Sequence, residues 1–133
     1  MKTTDVQGIG PANGKKLAKA GIRTTEALLK KGAGDKGRKQ IATVSGISHT
    51  LILRWVNYAD LFRIKGIGPQ YAEILEKAGV DTVAELSKRA AGSLYEKMVA
   101  ANRPRKLVRK MPSKEQVAGW IAVARKLPRL ISY

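Results

Sequence analysis

Residues 6–32 read VQGIGPANGKKLAKAGIRTTEALLKKG, and residues 64–90 read IKGIGPQYAEILEKAGVDTVAELSKRA. At an offset of 58 residues the two stretches are identical at 11 of 27 positions, including the whole of Gly8-Ile9-Gly10-Pro11 against Gly66-Ile67-Gly68-Pro69. Similarity continues more weakly, with Ser48…Trp55-Val56…Ala59 answered by Ser113…Trp120-Ile121…Ala124 once seven extra residues are allowed in the second copy. A repeat of this period constrains the fold more than any single motif, because whatever one copy forms the other must also form. The expected organisation is two tandem units, 1–63 and 64–133, packed as one compact body.

Each unit reads as helices. Pro11 and Pro69 suit a first helical turn, where an N–H would have no intrahelical partner. Gly21 and Gly79 suit the left-handed position that ends a helix. Thr82 with Glu85, Ser93 with Glu96 and Ser113 with Gln116 have capping-box spacing. Ile52, Trp55, Val56, Ala59 and Phe62 recur at helical intervals, as do Val117, Trp120, Ile121, Ala124 and Leu127. Alternation of period two is absent, so the fold class expected is all-α, with about ten short helices.

Composition then excludes several chemistries. With no cysteine and one histidine, His49, the chain has no disulfide framework, thiolate site or His-rich metal centre. No GxSxG or Walker loop occurs, and the 10 carboxylates are scattered; no catalytic residue, metal or cofactor is expected. The net charge of +16 instead asks for an anionic partner. The longest apolar stretch, residues 117–124, is far below the roughly 20 residues that span a bilayer, and the N-terminus lacks the apolar core of a signal peptide. A cytoplasmic protein is expected, with no membrane partner.

The GIGP elements carry the sharpest functional signal. Glycines there allow turns closed to other residues, and the helix that follows points free N–H groups and its positive dipole end outward, where an anion can sit. The pattern hydrophobic–x–Gly–hydrophobic–Gly–Pro, followed by a small residue and leucine, resembles the helix-hairpin-helix family over Val6–Leu17 and Ile64–Leu75, with Gly14 and Ala72 at the small position. The Trp-containing helix pair after each hairpin is also similar to a domain-of-unknown-function family of tandem helix-hairpin-helix repeats. The first resemblance implies a grip on nucleic-acid phosphate without sequence reading; hairpins of this kind also serve as packing modules.

The copies differ in charge. Lys15, Lys16 and Lys19 follow Gly8, Ile9 and Gly10, whereas Glu73, Ile74, Glu76 and Lys77 follow Gly66, Ile67 and Gly68. Lysines reinforce a phosphate cradle and carboxylates oppose it, so the first hairpin is the expected phosphate site and the second the weaker one. Two further basic clusters join the candidates: Lys36, Arg38 and Lys39, and the inserted block Arg103, Arg105, Lys106, Arg109 and Lys110. The block is expected as an exposed loop or short helix. Aromatic residues do not interleave with these clusters, which argues against base stacking as the main mode.

Residues 38–55 also resemble a helix-turn-helix, through Ala42, Gly46 and Ile52. A recognition helix there would present His49, Thr50, Arg54 and Asn57. Few of these are the types that make bidentate base contacts, and the second copy has Asn102 and the basic block where the turn glycine would be, so a packed helix pair is the preferred reading. Function is therefore expected to be binding of nucleic acid, DNA before RNA, through the phosphate backbone. An interaction module docking on an acidic protein is the alternative.

Overall fold

The computed structural model describes all of residues 1–133. It is all-helical: a 3-10 turn at Thr3–Asp5, then α1 Gly10–Lys19, α2 Thr25–Gly32, α3 Asp35–Ser45, α4 His49–Leu61, α5 Pro69–Lys77, α6 Val83–Leu86, α7 Ala91–Asn102 and α8 Lys114–Lys126. The only extended pairing is an isolated antiparallel bridge between Lys2 and Thr24. Eight α-helices and the 3-10 turn stand where about ten short helices were expected, and the basic block takes the loop form.

The chain divides into two compact units, Met1–Asp60 with Leu130–Tyr133, and Leu61–Arg129. The last four residues thus belong with the first unit although the sequence carries them at the end of the second half.

In the first unit α3 packs on α1 and α2, and the 3-10 turn on α1. Ile9, Leu17, Ile22, Leu28, Ile41, Ile52, Trp55 and Val56 are buried. The Thr24 hydroxyl accepts from the Ala27 amide at 3.1 Å and starts α2. Gly46, at φ 73°, ends α3 with its amide donating to the Ala42 carbonyl, and the Ser48 hydroxyl accepts from the Leu51 amide at 3.3 Å to open α4. The turn of the helix-turn-helix lookalike is therefore formed, and of its expected reading face Asn57 is buried, whereas Thr50 and Arg54 are exposed, Arg54 donating to the Tyr58 hydroxyl at 3.2 Å. Ile52, Trp55 and Val56 give one face of this helix to the core, as their helical interval requires.

In the second unit α5 packs on α7, and α6 and α7 on α8. Ala72, Leu75, Val80, Leu86, Leu94, Met98, Val117, Trp120 and Ile121 are buried. The Thr82 hydroxyl accepts from the Glu85 amide, and Ser113 with Gln116 forms the reciprocal capping box at the start of α8. Ser93 does not cap. Helix α7 begins two residues earlier, after an extended Ala90, and the Ser93 hydroxyl donates back to the Ala90 carbonyl at 3.3 Å. No helix is long and apolar enough to cross a membrane.

Candidate nucleic-acid interface

In the first hairpin Gly8 and Gly10 lie at φ 89° and 67°, and in the second Gly66 lies at φ 99°. All three positions are closed to ordinary side chains. Gly68 instead is extended and precedes Pro69 at the first turn of α5, so the two hairpins enter their helices by different backbone routes. Ile9 and Ile67 are 2% and 4% exposed. Their amides donate to the carbonyls of Val6 and Ile64, at 3.3 and 3.1 Å. Both isoleucines were expected among the anion-binding residues; they act instead as apolar anchors whose N–H groups are spent inside the turn.

The first glycine of each GIGP turn backs onto an indole of its own unit. A Cβ on Gly8 would lie 3.9 Å from Trp55 Nε1, and one on Gly66 would lie 3.1 Å from Trp120 Nε1. A second correspondence joins Lys31 and Arg89, 58 residues apart, with acceptors one position out of step. Lys31 Nζ donates to the Ala20 carbonyl at 3.1 Å, and Arg89 Nη2 donates to the Gly79 carbonyl at 2.9 Å. Each cation closes the C-terminus of the helix behind its hairpin, where the dipole end is negative.

Arg38 corrects the reading of the first basic cluster. It is 1% exposed. Its Nη1 donates to the carbonyls of Gly32 and Ala33, both at 2.9 Å, and its Nη2 to the Ser132 carbonyl at 2.6 Å. The guanidinium thus closes the open C-terminal end of α2 and holds the end of the chain, and it is unavailable to a phosphate. Its helical partners Ile41 and Ser45 are buried with it, at the 3-4 spacing that marks one face. Lys36 is exposed. Lys39 is exposed as well but pairs with Asp35 at 3.0 Å. That hydrogen bond, aided by the charges of Lys39, His49 and Arg38, holds the Asp35 carboxyl below its ordinary range.

Lys15, Lys16 and Lys19 are exposed along α1, as expected for the first hairpin. In the second unit Arg103, Arg105, Lys106, Arg109 and Lys110 are all exposed, on the loop that joins α7 to α8. Two features fix its backbone. Asn102 Nδ2 donates to the Val108 carbonyl at 3.2 Å while its Oδ1 accepts from the Val108 amide at 3.1 Å, and the Val108 side chain is buried. The Tyr71 hydroxyl donates to the Lys110 carbonyl at 3.0 Å.

Tyr71 lies in the first turn of α5, three residues past Gly68, with its ring 5.4 Å from that of Trp120. The second hairpin, Trp120, Tyr71 and Lys110 therefore form one continuous set. Within α5 the Ala72 amide bonds to the Gly68 carbonyl and Pro69 has no N–H. The first-turn donors are thus the amides of Gln70 and Tyr71, in the same turn that holds the basic loop. The weaker hairpin of the sequence reading is the one joined to the densest cation cluster. Asn102 and Tyr71 were missed as site residues, because neither is charged and Tyr71 lies 39 residues from the carbonyl it holds.

An all-helical protein of two compact units with one pinned basic loop is the class these observations define. The chain belongs to the family of the domain of unknown function DUF4332, whose model matches residues 7–127. No curated protein and no solved structure matches it significantly.

Proposed function

We propose that this protein binds nucleic acid, DNA before RNA, by holding the phosphate backbone with little sequence preference. On this reading the two GIGP turns are helix-hairpin-helix elements, the two units are copies of one fold, and no catalytic step is involved. The observation that carries it is the loop after α7, where five exposed cations stand on a backbone tied down by Asn102 and Tyr71. Residues 103–113 include no carboxylate to neutralise them. A loop ordered before binding loses less entropy when it engages a ligand than a mobile basic tail does. The open first turn of α5 adds uncharged donors suited to a phosphate oxygen.

Affinity for several unrelated duplexes, measured between 50 and 200 mM salt as in ordinary counterion analyses, tests this reading. The expected result is similar affinity for all duplexes and a logarithmic salt slope of about −0.9 for each phosphate neutralised. Salt-insensitive or absent binding at low salt overturns it. Competition with structured RNA separates the two nucleic acids, and a pull-down of an acidic protein that survives nuclease favours the interaction-module alternative.

A further inference from the structure

Tyr95, Glu96, Val99, Arg103 and Lys114 line a groove of about 300 Å³ in the second unit. Four of them come from α7 and its C-terminal cap, at intervals that place them along one side of the helix. Lys114 is the first residue of α8. The groove therefore sits where the basic loop leaves one helix and enters the next, and Arg103 belongs to both. Lys114 Nζ lies 5.9 Å from the centre of the Tyr95 ring, so an aromatic face, an apolar side chain, two cations and one carboxylate meet in one concavity. Its volume is near the lower bound of small-ligand sites, about 300–1,000 Å³.

We propose that this groove receives an unpaired nucleobase from a strand whose phosphates lie on the basic loop. The inference rests on the backbone-binding reading above and adds to it the class of nucleic-acid end or defect that is preferred. A base has the flat apolar face that Tyr95 and Val99 match, and its flanking phosphates match Arg103 and Lys114. Stacking on Tyr95 displaces the ammonium of Lys114 from the ring and frees it for the phosphate. Glu96 is the component a phosphate alone would not want. As an acceptor-only group it pairs with the exocyclic amino group of cytosine or adenine, one N–H of which a duplex keeps engaged on the Watson–Crick edge and an unpaired base presents.

Fluorescence anisotropy with the whole protein, comparing a blunt duplex and the same duplex carrying a short overhang, separates this proposal from the one beneath it. Overhangs of deoxycytidine, thymidine and cytidine are the probes, in moderate salt. The expected result is about 10-fold tighter binding of a cytosine overhang than of the blunt duplex, the gain typical of one stacked base, with a smaller gain for thymine. Tyr95→Ala removes the gain and Tyr95→Phe keeps it, while both leave affinity for the blunt duplex unchanged. Glu96→Gln narrows the difference between cytosine and thymine. A gain with both sugars, or with one, supports the proposal and identifies the strand type. Equal binding of blunt and overhanging duplexes overturns it while leaving the backbone reading intact. Failure to bind the blunt duplex at low salt overturns that reading instead.

Discussion

Asn102 grips Val108 from both sides, its carboxamide donating to the Val108 carbonyl at 3.2 Å and accepting from the Val108 amide at 3.1 Å. The five residues 103–107 are thereby closed into a hoop with Val108 as its buried plug. Asn102→Ala removes both bonds and leaves the partly buried amide and carbonyl to find water. The expected cost is about 1–3 kcal/mol, read by chemical denaturation, together with faster tryptic cleavage after Arg105 and Lys106. An unchanged cleavage rate would show that the clamp does not order the loop.

The pinned loop and the exposed α1 lysines make separable contributions to the proposed binding. Replacing Arg105, Lys106 and Arg109 by glutamine is expected to flatten the salt dependence more than replacing the equal number Lys15, Lys16 and Lys19, because the loop cations stand on an ordered backbone without carboxylates between them. Slopes from anisotropy titrations at four or more salt concentrations decide it. A larger effect from the α1 lysines returns the site to the first hairpin.

Arg38→Met is expected to destabilise the protein by about 1.5–3 kcal/mol, since it deprives the buried Gly32 carbonyl and the partly buried bonds to Ala33 and Ser132 of a charged donor. Urea unfolding measures this. At low temperature, where the variant is folded, its affinity for duplex DNA is expected to match the parent, in contrast to loss at the exposed cations.

Two glycines on helices are expected to respond with opposite sign. A Cβ on Gly37 would collide with the backbone carbonyl oxygen of Lys31, so Gly37→Ala must push α3 away from the end of α2, at about 1–3 kcal/mol or more. A Cβ on Gly119 meets nothing within 4 Å, so Gly119→Ala should stabilise α8 by about 0.5–1 kcal/mol. Thermal melts of the two variants, lowered for one and raised for the other, check both.

Acid sensitivity should map onto two carboxylates. Asp35 is held below its ordinary value by the hydrogen bond from Lys39 and the nearby positive charges. Glu26 is lowered by a backbone hydrogen bond, by the N-terminal ammonium and by Thr25. A carboxyl depressed in the folded state contributes stability above its unfolded value, and that contribution disappears as pH falls through the folded value. Stability is therefore expected to decline below the ordinary carboxylate range, and less steeply in Asp35→Asn, as followed by denaturation between neutral and acidic pH.

What could be read in the chain was local. Gly21, Gly46 and Gly79 end helices at φ 80°, 73° and 95°, because only the left-handed turn satisfies the carbonyls there and glycine reaches it without strain. Trp55 and Trp120 are buried where helical spacing placed them. Adjacency to Lys36 and Lys39 makes Arg38 look like part of a solvated cluster, whereas its interval to the buried Ile41 and Ser45 points inward. Ser93 had capping spacing with Glu96, but the alanines before it extended the helix past that cap. The tie from Tyr71 to Lys110 had no local signature, since it depends on how α5 and the loop meet in space.

The placement of one indole behind the first glycine of each GIGP turn gives the molecule two built-in optical reporters. The chain has only two tryptophans, Trp55 in the first unit and Trp120 in the second. Emission from a Trp55→Phe protein therefore follows the second unit alone, and emission from Trp120→Phe follows the first. Whether the halves melt together or in sequence becomes a question answered by colour, without an added dye.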